Sequence, residues 1–114
     1  MRMFLRGQIM GKIKVLNKSE LLTNHSKVVN VNNTEIAVFN VEGEYFAIND
    51  RCSHAEASLS EGEVYDCKVE CPLHGAEFDL KTGEALTPPA SKAVVCYQIS
   101  TDEESIYIEL DENA

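Results

Sequence analysis

Residues 49–91 read NDRCSHAEASLSEGEVYDCKVECPLHGAEFDLKTGEALTPPAS, and this stretch holds three of the four cysteines and two of the three histidines. Cys52-Ser53-His54 is followed, after 16 residues, by Cys71-Pro72-Leu73-His74, which is C-x-H and then C-x2-H. Thiolates and neutral imidazoles are good ligands for borderline and soft transition metals, and a pair one or two residues apart can close on one site without large backbone strain. Two Cys and two His can hold a single tetrahedral zinc, or a two-iron, two-sulfide cluster with thiolates on one iron and imidazoles on the other. A zinc finger groups Cys with Cys and His with His. Here each stretch carries one of each, so two loops approaching from either side can each give a Cys to one iron and a His to the other. The mixed pairs favour the binuclear cluster.

On both sides of this stretch the periodicity is that of strands, with short runs rich in Val, Ile, Tyr and Phe between turn signals. The expected strands are Lys12 to Leu16, Lys27 to Val31, Thr34 to Asn40, Tyr45 to Asn49, Glu63 to Tyr65, Val69 to Glu70, Glu77 to Leu80, Glu84 to Ala85, Ala93 to Ser100 and Ser105 to Leu110. Asn32-Asn33, Glu42-Gly43 and Lys81-Thr82-Gly83 mark turns, because these residues accept turn or left-handed angles at low cost. Alternation places Val95, Tyr97 and Ile99 on one side of their run, and Ile106, Ile108 and Leu110 on one side of the next. Only Asn17 to Leu22 suggests a helical turn, capped by Asn17 or Ser19. The class is all-β. At 114 residues the chain fits one domain, taken as 11–110 with a metal-binding part at about 50–91, an N-terminal extension 1–10 and a polar tail 111–114.

Charge excludes some functions. With 10 basic residues against 19 acidic ones the net charge is -9, so the attraction to phosphate that drives nucleic-acid binding is missing. Residues 1–27 carry six bases against one acid, whereas residues 50–91 carry nine acids against three bases. If the second stretch forms a docking face, its partner should be basic. No apolar run is long enough to span a bilayer, and Arg2, Arg6, Lys12 and Lys14 interrupt the start of the chain, which reads as a soluble, cytoplasmic protein with no membrane association.

Cys52-Ser53-His54 and Cys71-Pro72-Leu73-His74-Gly75, with Phe78-Asp79, Thr82-Gly83 and Pro88-Pro89-Ala90 downstream, resemble the Rieske iron-sulfur family over roughly Ile13 to Leu110. The resemblance implies a small antiparallel β-sandwich with an inserted cluster-binding subdomain. It also implies that Cys52 and Cys71 bind the inner iron of a [2Fe-2S] cluster and His54 and His74 the outer iron. Two thiolates leave the oxidised cluster neutral where four would make it a dianion, so an electron is accepted more easily. The high-potential members of the family carry a disulfide between the two cluster loops and a Ser and a Tyr that donate to cluster sulfurs. The matching positions here are Ala57, Leu73, Ala76 and Phe78. Without those donors the expected potential lies at the low end of the family range, near about -150 mV.

A chain this short has no room for a nucleotide-binding domain or a mononuclear iron centre. The resemblance therefore implies an electron carrier and not an enzyme: a monomeric Rieske-type ferredoxin that accepts from a flavin-containing, NAD(P)H-dependent reductase and delivers to a terminal oxygenase. The alternative is the small subunit of a nitrite-reductase-like complex. A third reading, a zinc-stabilised interaction module, predicts a colourless protein. Cys67, in an expected turn, and Cys96, in an expected strand, read as free structural cysteines, and His25 as a surface loop residue.

Overall fold

The computed structural model describes residues 11–53, 56–73, 75–88 and 92–109. The expectations for 1–10, Leu110 and 111–114 fall outside these. The strands are β1 (Lys12–Asn17), β2 (Ser26–Val31), β3 (Thr34–Val41), β4 (Glu44–Asn49), β5 (Glu63–Tyr65), β6 (Lys68–Glu70), β7 (Glu77–Asp79), β8 (Cys96–Tyr97), β9 (Ile99–Thr101) and β10 (Ser105–Glu109). They form three sheets ordered β1-β10-β9, β2-β3-β4-β8 and β5-β6-β7, and all pairings are antiparallel. There is no α-helix among the described residues. None of their helical turns is long and apolar enough to cross a membrane.

The four-stranded sheet is the middle layer. Along β3, Ile36 and Val38 enter one core with Leu16, Leu21, Ile106 and Ile108, while Ala37 and Phe39 enter a second core with Cys52, Leu59, Cys71 and Phe78. Alternate residues of a strand leave opposite faces, so a run without a polar break at 36–39 is what a strand covered on both sides requires. β4 repeats the division, with Ala47 in the first core and Ile48 in the second. The second core is the floor to which the stretch after β4 contributes Cys52, Leu59, Val69, Cys71, Ala76, Phe78 and Leu80.

The hairpin turns are built from left-handed residues: Asn32 and Asn33 between β2 and β3, Glu42 and Gly43 between β3 and β4, and Asp66 and Cys67 between β5 and β6. Paired positive φ angles give the primed turns whose twist matches that of the flanking strands. Cys67 therefore sits in a turn and Cys96 in a strand, both as free thiols, as the sequence implied.

Four expectations need correction. Glu84 to Ala85 is not a strand; Ala85 makes only an isolated bridge to Phe78. The single run Ala93 to Ser100 is divided, because Cys96 and Tyr97 pair with Ile48 and Ala47 whereas Ile99 pairs with Ile108 of another sheet. Val95 is 54% exposed and Val94 is the buried residue, since the pairing that would enforce alternation begins only at Cys96. Of Asn17 to Leu22, only Lys18–Glu20 is helical, a single 3-10 turn closed by the Glu20 carboxylate accepting from the Asn17 N–H at 2.7 Å.

Candidate metal centre

Two loops of like construction bring the paired cysteines together. The first leaves β4 through Asp50, a buried residue whose N–H donates to the Glu35 carbonyl at 3.0 Å. The Asp50 carboxylate accepts from the Ser60 N–H at 2.9 Å and its carbonyl from the Leu59 N–H at 2.7 Å. Arg51 bridges Ser58, and the Cys52 N–H donates to the Ala57 carbonyl at 3.0 Å. The second loop leaves β6 and returns into β7, and here the Cys71 N–H donates to the Ala76 carbonyl at 2.7 Å. Each cysteine thus closes its loop on the residue five positions later.

Cys52 is 2% exposed and Cys71 1%, with Leu59, Val69, Ala76, Phe78, Leu80 and Val94 around them. Burial pushes the Cys71 thiol up to about 11; its hydrogen bond with the Cys52 side chain adds to this, and the Leu73 N–H directed at the sulfur opposes it. Losing a proton in this apolar setting leaves a charge that the surroundings do not solvate. A cation between the two sulfurs would supply what is missing, so the pair fits a metal group that takes thiolates. Ala76 and Phe78 are both fully buried in the same core as the two cysteines, and neither carries a hydroxyl.

His54 and His74 lie outside the described residues. Ala57, half-buried against the second core, and Leu73, 43% exposed, are the positions that the family resemblance matches to an inter-loop disulfide, and neither is a cysteine. His25 is exposed, with Nδ1 3.1 Å from the Thr23 carbonyl oxygen. A groove of ≈ 720 Å³ is lined by Phe39, Val41, Val64 and Cys67 among others, and neither Cys52 nor Cys71 lines it.

Several supporting residues were not singled out from sequence. The Ser53 hydroxyl donates to the Lys92 carbonyl at 2.6 Å, and the Thr87 hydroxyl accepts from the Glu77 N–H at 2.9 Å. Gly62 lies so close to β6 that a Cβ there would sit 1.9 Å from the Glu70 carbonyl oxygen. Gly62 was the one with a readable signal, a glycine just ahead of a strand; a Ser or Thr gives no sign in sequence of a partner many residues away.

The family model for the Rieske [2Fe-2S] domain matches residues 11–98. The chain is 54% identical over 78 residues to the 3-phenylpropionate/cinnamic acid dioxygenase ferredoxin subunit of Shigella boydii serotype 4 (strain Sb227), covering 68% of this chain and 74% of that relative. Among solved structures it is similar to the ferredoxin of carbazole 1,9a-dioxygenase from Nocardioides aromaticivorans IC177, with a TM-score of 0.81 and 29% identity over 85% of this chain and 95% of that one. A second match, TM-score 0.79 and 30% identity over 86% and 92%, is to the complex of reduced oxygenase and oxidized ferredoxin in carbazole 1,9a-dioxygenase. The group that the buried cysteine pair fits is accordingly a Rieske-type [2Fe-2S] cluster, and the chain carries electrons and is not itself a catalyst. Its Cys-x-His and Cys-x2-His motifs, its three antiparallel sheets and the match over 11–98 agree: the chain belongs to the Rieske [2Fe-2S] domain family.

Proposed function

We propose that this chain is the ferredoxin of a Rieske oxygenase system, taking one electron at a time from a flavin-containing, NAD(P)H-dependent reductase and passing it to a terminal oxygenase. Cys52 and Cys71 hold the inner iron and His54 and His74 the outer one. The domain runs from 11 to 110, with the metal-bearing part at about 50–91, and it works as a cytoplasmic monomer. The observation that carries the reading is the buried contact between Cys52 and Cys71 at the ends of matched loops. When bound, the cluster supplies a reversible one-electron change.

The protein's own part is to hold and insulate. Leu59, Val69, Phe78 and Leu80 keep water from the thiolate side. The Leu73 N–H, directed at the Cys71 sulfur, stabilises added negative charge there. No hydroxyl from Ala76 or Phe78 adds to that, which keeps the potential low. Leu73 is exposed beside His74 and gives a partner an apolar contact close to the outer iron. The excess of acids in residues 50–91 speeds encounter with basic docking faces and makes it sensitive to salt. The carrier reading is favoured over a nitrite-reductase-like small subunit because the relative sharing 54% identity is a ferredoxin subunit.

The test is analytical. Purified protein should contain two irons and two acid-labile sulfides per chain, show visible absorption that bleaches with dithionite, and elute as a monomer. It should also be reduced by NAD(P)H only when a flavin reductase of an oxygenase system is added. One zinc per chain with no sulfide would overturn the reading.

A further inference from the structure

We propose that Ser53 is a positioning residue for the metal centre: its hydroxyl moors the first cysteine loop to the segment at Lys92–Val95 and so fixes how Cys52 and His54 are presented. The inference rests on the reading of those two residues as ligands. Ser53 stands between them, and its O–H···O contact of 2.6 Å to the Lys92 carbonyl is at the short end of the hydrogen-bond range.

The far end of this contact is held independently. The Val94 N–H donates to the Gly83 carbonyl at 2.9 Å, and the Val95 carbonyl accepts from the Asn49 N–H at 2.9 Å. The Val94 side chain is buried in the same core as Cys52 and Cys71. Gly83 has positive φ and approaches so closely that a Cβ there would sit 2.1 Å from the Val94 carbonyl oxygen. Ser53 is therefore tied to a carbonyl two residues ahead of a point that the core and β4 hold.

The base of the first loop does not depend on Ser53, since the Cys52–Ala57 hydrogen bond and the Arg51–Ser58 bridge are made by backbone. Losing the hydroxyl should free the part beyond Cys52 and leave the fold intact. The second loop shows the same need met in another way. The position after Cys71 is Pro72, whose ring fixes its backbone φ, and the Gly75 N–H returns to the Cys71 carbonyl at 3.2 Å. One loop is stiffened by a proline, the other by a serine hydroxyl.

The experiment compares the holoprotein with Ser53→Ala, Ser53→Val and Ser53→Thr by midpoint potential, by the EPR spectrum of the reduced state and by iron loss to a chelator. A loop released into several geometries should broaden the EPR lines, move the potential and speed iron loss by about tenfold in Ala and Val, while Thr, which keeps the hydroxyl, restores all three. If the Ala variant cannot be obtained with its cluster, Val against Thr decides: loss in Val with retention in Thr supports the proposal. An Ala or Val variant matching wild type in all three readouts overturns it. Wild-type protein without two irons and two sulfides would instead sink the ligand reading, a separate and earlier failure.

Discussion

The thiol of Cys71 is hydrogen-bonded to the side chain of Cys52, although the two residues leave different sheets and both are cut off from water. Only the folded chain makes this contact. Cys67 and Cys96 are free thiols elsewhere, one in the β5–β6 turn and one in β8, where Cys96 Sγ lies 3.3 Å from the Lys81 carbonyl oxygen. Cys52→Ser or Cys71→Ser should therefore abolish bound iron and sulfide, whereas Cys67→Ser and Cys96→Ser should keep both at wild-type levels in a colorimetric assay.

Ala76 and Phe78 are buried in the same core as Cys52 and Cys71. The double change Ala76→Ser with Phe78→Tyr adds two hydroxyls that can donate to cluster sulfurs, and the midpoint potential should rise. In metal-free protein the same hydroxyls are buried without that acceptor, at a cost of about 1–3 kcal/mol each. Redox titration checks the first effect and denaturant unfolding of the apoprotein the second; an unchanged or lower potential would show that the missing donors do not set it.

The closeness of Gly62 to the Glu70 carbonyl leaves no room for a methyl group. Gly62→Ala should push β6 aside and destabilise by about 1–3 kcal/mol. Because Glu70 immediately precedes Cys71, chelator-driven iron loss should quicken along with the fall in melting temperature. Gly43, with nothing within 4 Å of its added Cβ, is a control for space, although its positive φ still disfavours Ala.

Tyr65 donates its hydroxyl to Glu77, which also faces Lys68 Nζ at 3.4 Å. The Tyr65 phenol is pushed up to about 12, chiefly by this hydrogen bond, and the Glu77 carboxyl is lowered from 4.5 by the same bond first. A lowered carboxyl stabilises the fold above its unfolded value and ceases to as pH falls through the folded one. A raised phenol stabilises below its ordinary value of 10.0 and ceases to as pH rises through about 12. Tyr65→Phe should thus lower the melting temperature most between those limits, with the difference from wild type shrinking at either extreme.

Leu73 is exposed and adjoins His74 without joining the core. Leu73→Asp should leave the potential and the melting temperature unchanged yet slow electron delivery to the oxygenase by about fivefold or more, read by stopped-flow reoxidation. Equal rates would remove this side chain from the docking contact.

Much of the fold could be read in the chain, for reasons that particular residues show. Asn32-Asn33 and Glu42-Gly43 sit at turns because few residues accept positive φ, and Ile106 and Ile108 are buried together because a period of two leaves no other choice. The division of the Ala93 to Ser100 run is not legible because alternation carries no information about which sheet a strand joins, and here the partner changes between Tyr97 and Ile99. Of the site, the four proposed ligand positions, Cys52, His54, Cys71 and His74, follow from spacing. The supports at Asp50, Ser53 and Thr87 do not, since each acts through backbone groups distant in sequence.

The matching closures of Cys52 on Ala57 and Cys71 on Ala76 give each half of the centre a base that its own backbone clasps. Two such bases, set on one apolar core, amount to a transplantable unit: a designer wishing to install an electron relay elsewhere would need to copy that core, the pair of clasps and the 92–95 segment to which Ser53 is tied.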